Sequence, residues 1–329
     1  MSVSSKWYAR PLRWAPLPVG VGLAYVCYQQ YGHVVERESI KHNIYPYWPA
    51  WKRKVYQSLP LRAMSRGFGW LADRHLPVVL RRPLFGFYVW CYDCNMDEAV
   101  EPNLANYVTF NDFFTRDIQP RPISADVLVA PADGRVQNCG RVEHSQIAQV
   151  KGVTYTLSDL FGSDLASQIQ NQDSLHFCVV YLSPGRYHGF HSPTDWTVDL
   201  RRHFNGHLYS VRDVILRNIP KLFCVNERVL LWGNWKYGPF SMTAVGATNV
   251  GNIRIHGDPI KTNKPDVELA TYEDRQLDSW KRESGHKLGE FRFGSTVVLV
   301  FKAPPGFRFS VKPGDLVNYG QSLGFSTHN

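Results

Sequence analysis

The rhythm of apolar and polar positions changes near residue 126. Across residues 50–100 the apolar positions recur at helical spacing. Leu61, Met64, Phe68 and Leu71 fall three or four apart, and Leu84, Tyr88, Trp90 and Cys94 do so less strictly. Arg62, Arg66, Arg74, Arg81 and Arg82 lie between them. The spacing predicts amphipathic helices, suited either to a membrane surface or to packing on a neighbouring domain. Beyond residue 126, short β-rich runs alternate with Gly and Pro. They include Val127-Leu-Val, Phe177-Cys-Val-Val-Tyr-Leu, Glu227-Arg-Val-Leu-Leu, Met242-Thr-Ala-Val and Thr296-Val-Val-Leu-Val-Phe. Residues 311–324 predict two short strands around a tight turn, with Gly314 and Gly320 where positive φ is needed. The polar segment 257–290 predicts a long, exposed and mobile connection. The fold class expected is α+β: N-terminal membrane-associated helices, then a compact, mainly antiparallel β domain.

Charge sharpens this division. The chain of 329 residues carries +9, with 44% hydrophobic and 20% charged residues, a globular balance. Residues 1–82 hold 13 Lys or Arg against 3 acids, so this quarter carries +10 and the remainder −1. A nucleic-acid binder spreads its basic face over the folded domain. A basic, Trp- and Tyr-rich N-terminal quarter suits an anionic bilayer better, and no nucleic-acid partner is expected. The first acid is Glu36, preceded by Lys6, Arg10, Arg13 and several serines, the texture of a mitochondrial presequence. Trp14 to Tyr28 is an apolar run of 15 residues, against roughly 20 for a spanning helix. A single transmembrane helix is expected there; a cleaved or interfacial segment is the alternative. The positive flank would stay on the matrix side and the rest face outward.

The candidate chemistry lies in three separated stretches: Pro131-Ala-Asp133-Gly134, Tyr187-His188-Gly-Phe-His191-Ser-Pro, and Phe293-Gly294-Ser295-Thr296. An Asp-Gly is commonly a turn, an HxxH outside a helix does not make a zinc site without further ligands, and a Gly-Ser-Thr is commonly a loop. Together they offer the Asp, His and Ser of a nucleophile–base–orienter set. A hydrolase elbow places its Ser between a strand and a helix, whereas Ser295 leads directly into a strand. A Ser in that position, directly after Gly, can attack its own preceding carbonyl. The six cysteines give no disulfide framework, and Cys91-Tyr-Asp-Cys94 is a lone CxxC. No metal is expected.

These motifs resemble the phosphatidylserine decarboxylase family, in its mitochondrial type, over roughly residues 107 to 325. The matching text includes Phe113-Phe114-Thr-Arg116, Arg121-Pro122-Ile123, Ala130-Pro-Ala-Asp133-Gly134, Leu182 through Pro193, Asn226-Glu227-Arg228, Val245-Gly246-Ala247-Thr248 and Gly294-Ser295-Thr296. The family usually has Leu before the Gly-Ser-Thr, where this chain has Phe293. The resemblance implies that His191, oriented by Asp133, deprotonates Ser295, which attacks Gly294. Cleavage then yields chains 1–294 and 295–329 held together non-covalently, with Ser295 converted into a pyruvoyl group. That group would do the work of pyridoxal phosphate, with His188 as the acid delivering a proton after CO2 departs. Phosphatidylserine would be converted to phosphatidylethanolamine. The expected organisation is an anchor over 1–35, a membrane-associated helical region over 36–106 and a catalytic domain over 107–329. The expected location is the mitochondrial inner membrane, with the catalytic domain facing the intermembrane space.

Overall fold

The computed structural model describes residues 47–150, 153–169, 174–248, 252–292 and 294–327. The predicted membrane span, Trp14 to Tyr28, and Phe293 lie outside the described residues. Three helices come first: α1 (Ala50–Ser58), α2 (Leu61–Ala72) and α3 (Val78–Tyr92). Each begins directly after a proline (Pro49, Pro60, Pro77), whose fixed φ suits a helix start. A short α4 (Phe110–Phe114) is opened by a capping box, in which Thr109 and Asp112 each bind the other's backbone N–H. Among the described residues no helix is long and apolar enough to cross a membrane.

The strands follow in chain order. The first eight are β1 (Leu128–Val129), β2 (Gly134–Arg141), β3 (Gln146–Val150), β4 (Val153–Thr156), β5 (Leu175–Leu182), β6 (Gly189–His191), β7 (Trp196–Phe204) and β8 (Arg228–Trp235). The second eight are β9 (Gly238–Val245), β10 (Ile253–Ile255), β11 (Tyr272–Arg282), β12 (Lys287–Phe291), β13 (Ser295–Lys302), β14 (Phe307–Phe309), β15 (Leu316–Val317) and β16 (Ser322–Ser326). Eight of them form one sheet in the order β11-β7-β8-β9-β13-β5-β2-β15, and every pairing in it is antiparallel. The mixed architecture with a mainly antiparallel β region agrees with the sequence pattern.

Strand β13 lies inside the sheet, between β5 and β9. Its apolar run, Val297 to Phe301, is buried throughout, which is why the sequence there reads as continuous rather than alternating. Small sheets flank the large one. The order β10-β12-β6 brings the 188–191 stretch against β12, and β1-β16-β14 ties the chain's end to residues 128–129.

Two expectations are corrected. Segment 257–290 is not a plain connection, for it contains β11, the edge of the large sheet, and β12. Its polarity reflects ion pairing: Asp274 lies opposite Arg202 and takes its guanidinium at 2.7 Å, and Asp258, in the loop before β11, binds Arg275 at 3.1 Å. An edge strand needs backbone pairing on one side only and tolerates charged side chains. Second, Gly314 and Gly320 do adopt positive φ (101° and 82°), but the strands near them do not pair with each other. β15 joins β2, while β16 joins β1 and β14.

The helical layer also departs from the simple stripe. In α2, Leu61, Ser65 and Ala72 are buried, while Met64, Trp70 and Leu71 face outward. In α3, Phe85 and Tyr88 are buried, and Val79 and Trp90 are 81% and 79% exposed.

Candidate active site at the head of the central strand

Ser295 is the first residue of β13, opposite Leu182 at the end of β5. It is fully buried, and its Oγ has no hydrogen-bond partner. Buried hydroxyls are ordinarily paired, so an orphaned one at a strand head marks a site rather than packing. The Oγ1 of the adjacent Thr296 is likewise buried and unpartnered.

His188 stands beside Gly294, the residue before the Gly294–Ser295 linkage. A Cβ built on Gly294 would lie 3.9 Å from the Nε2 of His188 and 3.4 Å from the carbonyl oxygen of Leu182. The Nδ1 of His188 donates to the carbonyl of Arg186 at 2.7 Å, so its Nε2 carries the lone pair. That nitrogen is buried without a partner. The ring packs on Phe114 of α4, 4.2 Å between centroids. Burial pushes the imidazole down to about 3, so at neutral pH it is an uncharged base.

His191 is held differently. Its Nδ1 donates to the carbonyl of Gly285 at 2.8 Å, and its Nε2 accepts from the Tyr187 hydroxyl at 3.1 Å. Gly189 makes the second bond possible, because a Cβ there would fall 2.0 Å from the Tyr187 hydroxyl oxygen. Burial pushes His191 down to about 4. Its ring stacks on Tyr319, 3.9 Å between centroids and 10° between planes.

Asp133 does not bond to either histidine. Its oxygens take both terminal nitrogens of Arg121, at 2.7 and 3.0 Å, and one also accepts the backbone N–H of Tyr319 at 2.9 Å. Asp133 thereby fixes the segment carrying the ring on which His191 stacks, an indirect route to its orientation. Arg121, Tyr187 and Tyr319 are the site residues that sequence reasoning gave no role. Arg121 and Tyr187 stand inside the quoted motifs, but Tyr319 is far from Asp133 in the chain and nothing in the pattern marks it.

A cleft of about 970 Å³ opens beside this group, lined by Arg116, Arg121, Asp133, Arg186 and Tyr187 among others. Its wall forms where the 183–187 loop passes beneath the end of α3. Gly185 allows that approach, since a Cβ there would meet the Tyr92 carbonyl oxygen at 2.0 Å, and the Tyr88 hydroxyl donates to the carbonyl of Pro184 at 3.0 Å. Among the described residues no cluster of His, Cys, Asp and Glu is arranged to hold a metal ion. Cys91 lies in the last turn of α3 and Cys94 just past it, where burial pushes its thiol up to about 11.

Comparison with known proteins gives a consistent answer. The family model described as phosphatidylserine decarboxylase matches residues 110–325. The chain is 41% identical over 344 residues to the mitochondrial phosphatidylserine decarboxylase proenzyme of Rattus norvegicus, covering 95% of this chain and 85% of that protein. Against the corresponding proenzyme of Caenorhabditis elegans the identity is 45% over 286 residues, with 84% and 74% covered. Against proenzyme 1 of Saccharomyces cerevisiae it is 34% over 374 residues, with 85% and 75% covered.

Proposed function

Since this chain belongs to the phosphatidylserine decarboxylase family, we propose that it removes the headgroup carboxylate of phosphatidylserine using a pyruvoyl group made from its own Ser295. The observation that carries this reading is the buried, unpartnered Oγ of Ser295 beside the unpartnered Nε2 of His188. The residues present fit the group: a serine at a strand head, a glycine before it and a neutral imidazole at hand. In the self-cleavage, Ser295 Oγ attacks the Gly294 carbonyl carbon and the Gly294–Ser295 C–N bond breaks, leaving an ester. Loss of the Ser295 α-proton then expels the Gly294 carboxylate. The dehydroalanine that remains takes up water and releases ammonia.

A pyruvoyl group at this position supplies a carbonyl that engages the headgroup amine and draws in the electrons released as CO2 leaves. The protein's own residues manage the protons. The expected assignment gives the first transfer, from Ser295, to His191 oriented by Asp133, an orientation that would here run indirectly through Tyr319. For that, His191 must exchange its Tyr187 partner for Ser295. A second reading is favoured by the lone pair of His188, which already lies beside Gly294 and gives up no partner: here His188 accepts the Ser295 proton. In turnover His188 is neutral at rest, so to serve as the acid it must first be protonated as substrate binding changes its surroundings, and it then delivers that proton to the carbon that has lost CO2.

Intact mass of the purified protein tests the proposal. Two chains, 1–294 and 295–329, are expected, with Ser295→Ala leaving one inactive chain; an active, uncut Ser295→Ala protein would sink it. His188→Ala and His191→Ala separate the two readings: the variant that stays uncut names the base for cleavage.

The small chain is held by the sheet. Ser295–Lys302 pairs with β5 along its whole length and with β9 over Thr296–Phe301, while β15 and β16 pair with β2 and β1. Breaking the linkage before Ser295 leaves all of this pairing in place.

The membrane reading rests on the helical layer. Trp51, Trp70, Leu71, Val78, Val79 and Trp90 are exposed, more apolar surface than a soluble face needs. Lys52, Arg53, Lys54 and Arg82 lie among them, as contact with anionic lipid requires. Helix α3 runs directly into the cleft wall at Tyr92, so a lipid resting against it would have its headgroup at the cleft. In this reading residues 36–106 are the membrane-associated region before a catalytic domain over 107–329, with an anchor over 1–35; the exposed apolar residues of α1 to α3 support the first of these. The relatives named above are mitochondrial proteins; the proposed location is the mitochondrial inner membrane with the catalytic domain facing the intermembrane space, a reading supported by the basic N-terminal flank.

A further inference from the structure

The cleft is lined by four arginines that differ in their compensation. Arg121 is matched by Asp133 and Glu98, and Arg135 by Asp213 at 2.7 Å. Arg116 is 5% exposed yet makes no ion pair with any described carboxylate. Its Nε is buried without a partner, its one backbone contact is a long 3.5 Å bond from Nη1 to the carbonyl of Phe113, and it also contacts the uncharged thiol of Cys94, which offers no compensating charge. The Phe113 ring lies 5.4 Å from the guanidinium carbon. Burial alone does not require this. Arg228 is equally buried, and its Nε and terminal nitrogens donate to the carbonyls of Leu160, Cys224 and Asp159. A buried guanidinium with an idle donor is costly unless a ligand completes it. The half-buried Arg186, on the same cleft, likewise has no carboxylate partner among the described residues.

We propose that Arg116 receives the phosphodiester of the lipid headgroup. The assignment rests on the decarboxylase reading above and adds a specificity residue to it. Two anions of the substrate compete for Arg116, and the reaction decides between them. The carboxylate loses its charge as CO2 forms, so a guanidinium clamped on it would stabilise the starting state more than the transition state and slow the step. The phosphodiester keeps its charge from substrate to product, so binding it costs the reaction nothing. The exposed acids Asp93 and Asp97 also line the cleft, so the buried Arg116 is the more favourable place in it for an anion. Arginine's planar fork suits a phosphate.

The test uses the full chain with Arg116→Lys and Arg116→Gln. Both should still yield two chains by mass, because the headgroup takes no part in self-cleavage. For dihexanoyl phosphatidylserine, Arg116→Gln should raise KM about 10- to 100-fold with kcat within threefold, and Arg116→Lys should raise it less. The deciding measurement is binding of dihexanoyl phosphatidylethanolamine, which keeps the phosphodiester and lacks the carboxylate. Its Kd should rise by the same factor as KM. A Kd unchanged while KM rises would assign Arg116 to the carboxylate and overturn the proposal, as would a fall in kcat at constant KM. Should either variant fail to fold, the wild-type enzyme still decides. Dihexanoyl phosphatidylethanolamine should compete and dihexanoylglycerol should not; equal competition by the two, or by inorganic phosphate at the same concentration, would overturn the lipid phosphodiester assignment. A wild-type chain that never cleaves would instead remove the underlying reading.

Discussion

Strand β13 and helix α3 are both rich in large apolar residues, yet the protein treats them in opposite ways. Val297 to Phe301 are buried between β5 and β9, whereas Val78, Val79, Leu80 and Trp90 of α3 stand exposed. The two segments differ in what covers them, not in composition. In the strand, burial holds a short C-terminal segment in place. In the helix, apolar surface is left uncovered among the described residues, and the proposed bilayer contact would account for it. The largest effect should therefore follow a charge placed in the strand. Val298→Asp puts an unpaired carboxylate in the sheet core, a change costing about 3–5 kcal/mol. We expect loss of soluble, folded protein, checked by circular dichroism and by resistance to protease.

Substitution in the helical layer should do something else. Trp70→Ser, Val79→Ser and Trp90→Ser combined remove three exposed side chains, each worth roughly 1.5–3 kcal/mol when moved from water into an apolar phase. Folded stability should change by no more than about 0.5 kcal/mol per site. Turnover of phosphatidylserine in bilayer vesicles should fall at least tenfold, while turnover of dihexanoyl phosphatidylserine in solution should not. An equal fall on both substrates would mean that this surface supports the fold rather than the membrane contact.

The same contrast explains what could be read from the amino-acid pattern. Strand β13 was legible because Thr296-Val-Val-Leu-Val-Phe is a continuous apolar run, the mark of a strand buried on both faces. Strand β11 was not, because Tyr272–Arg282 is largely exposed and carries a bulge between Gln276 and Trp280. Its pairing is backbone-driven and its Asp274 answers Arg202 across the strand, which no local pattern reveals. The site divides similarly. Asp133, His188, His191, Gly294 and Ser295 stood out as residue types, but their partners did not. That Asp133 acts on Arg121 and Tyr319 depends on the chain's end returning beside residue 133.

A smaller effect should appear on acidification. Burial holds His188 near 3 and His191 near 4, both below the ordinary imidazole range. In the unfolded chain both would protonate near pH 6.5. Below that value the unfolded state binds more protons, so stability falls with pH. The loss begins near 6.5 and continues to about 4 for His191 and about 3 for His188. Each histidine contributes a slope approaching about 1.4 kcal/mol per pH unit. Urea unfolding of the uncut Ser295→Ala chain at pH 7, 6 and 5 should follow this slope, and His188→Gln should remove about half of it. A stability independent of pH over this range would mean that the two rings are not buried as neutral groups.

The smallest structural effect is expected at Gly294, where structure and chemistry can be set apart. A Cβ there meets the Leu182 carbonyl oxygen at 3.4 Å and His188 Nε2 at 3.9 Å, ordinary contacts both. Neither contact demands a glycine, so Gly294→Ala should leave stability within about 1 kcal/mol. The attack by Ser295 is different, because the carbonyl carbon of residue 294 must pass through a tetrahedral, twisted geometry in which an added methyl is pressed toward the imidazole. Self-cleavage followed by gel electrophoresis over time should therefore slow several-fold while Tm stays in place. If Gly294→Ala instead cleaves at the original rate, glycine at this position serves neither packing nor chemistry. If Tm falls with the rate, the residue belongs to the packed strand head, and the distinction between covered sheet and reactive linkage would have to be redrawn one residue earlier.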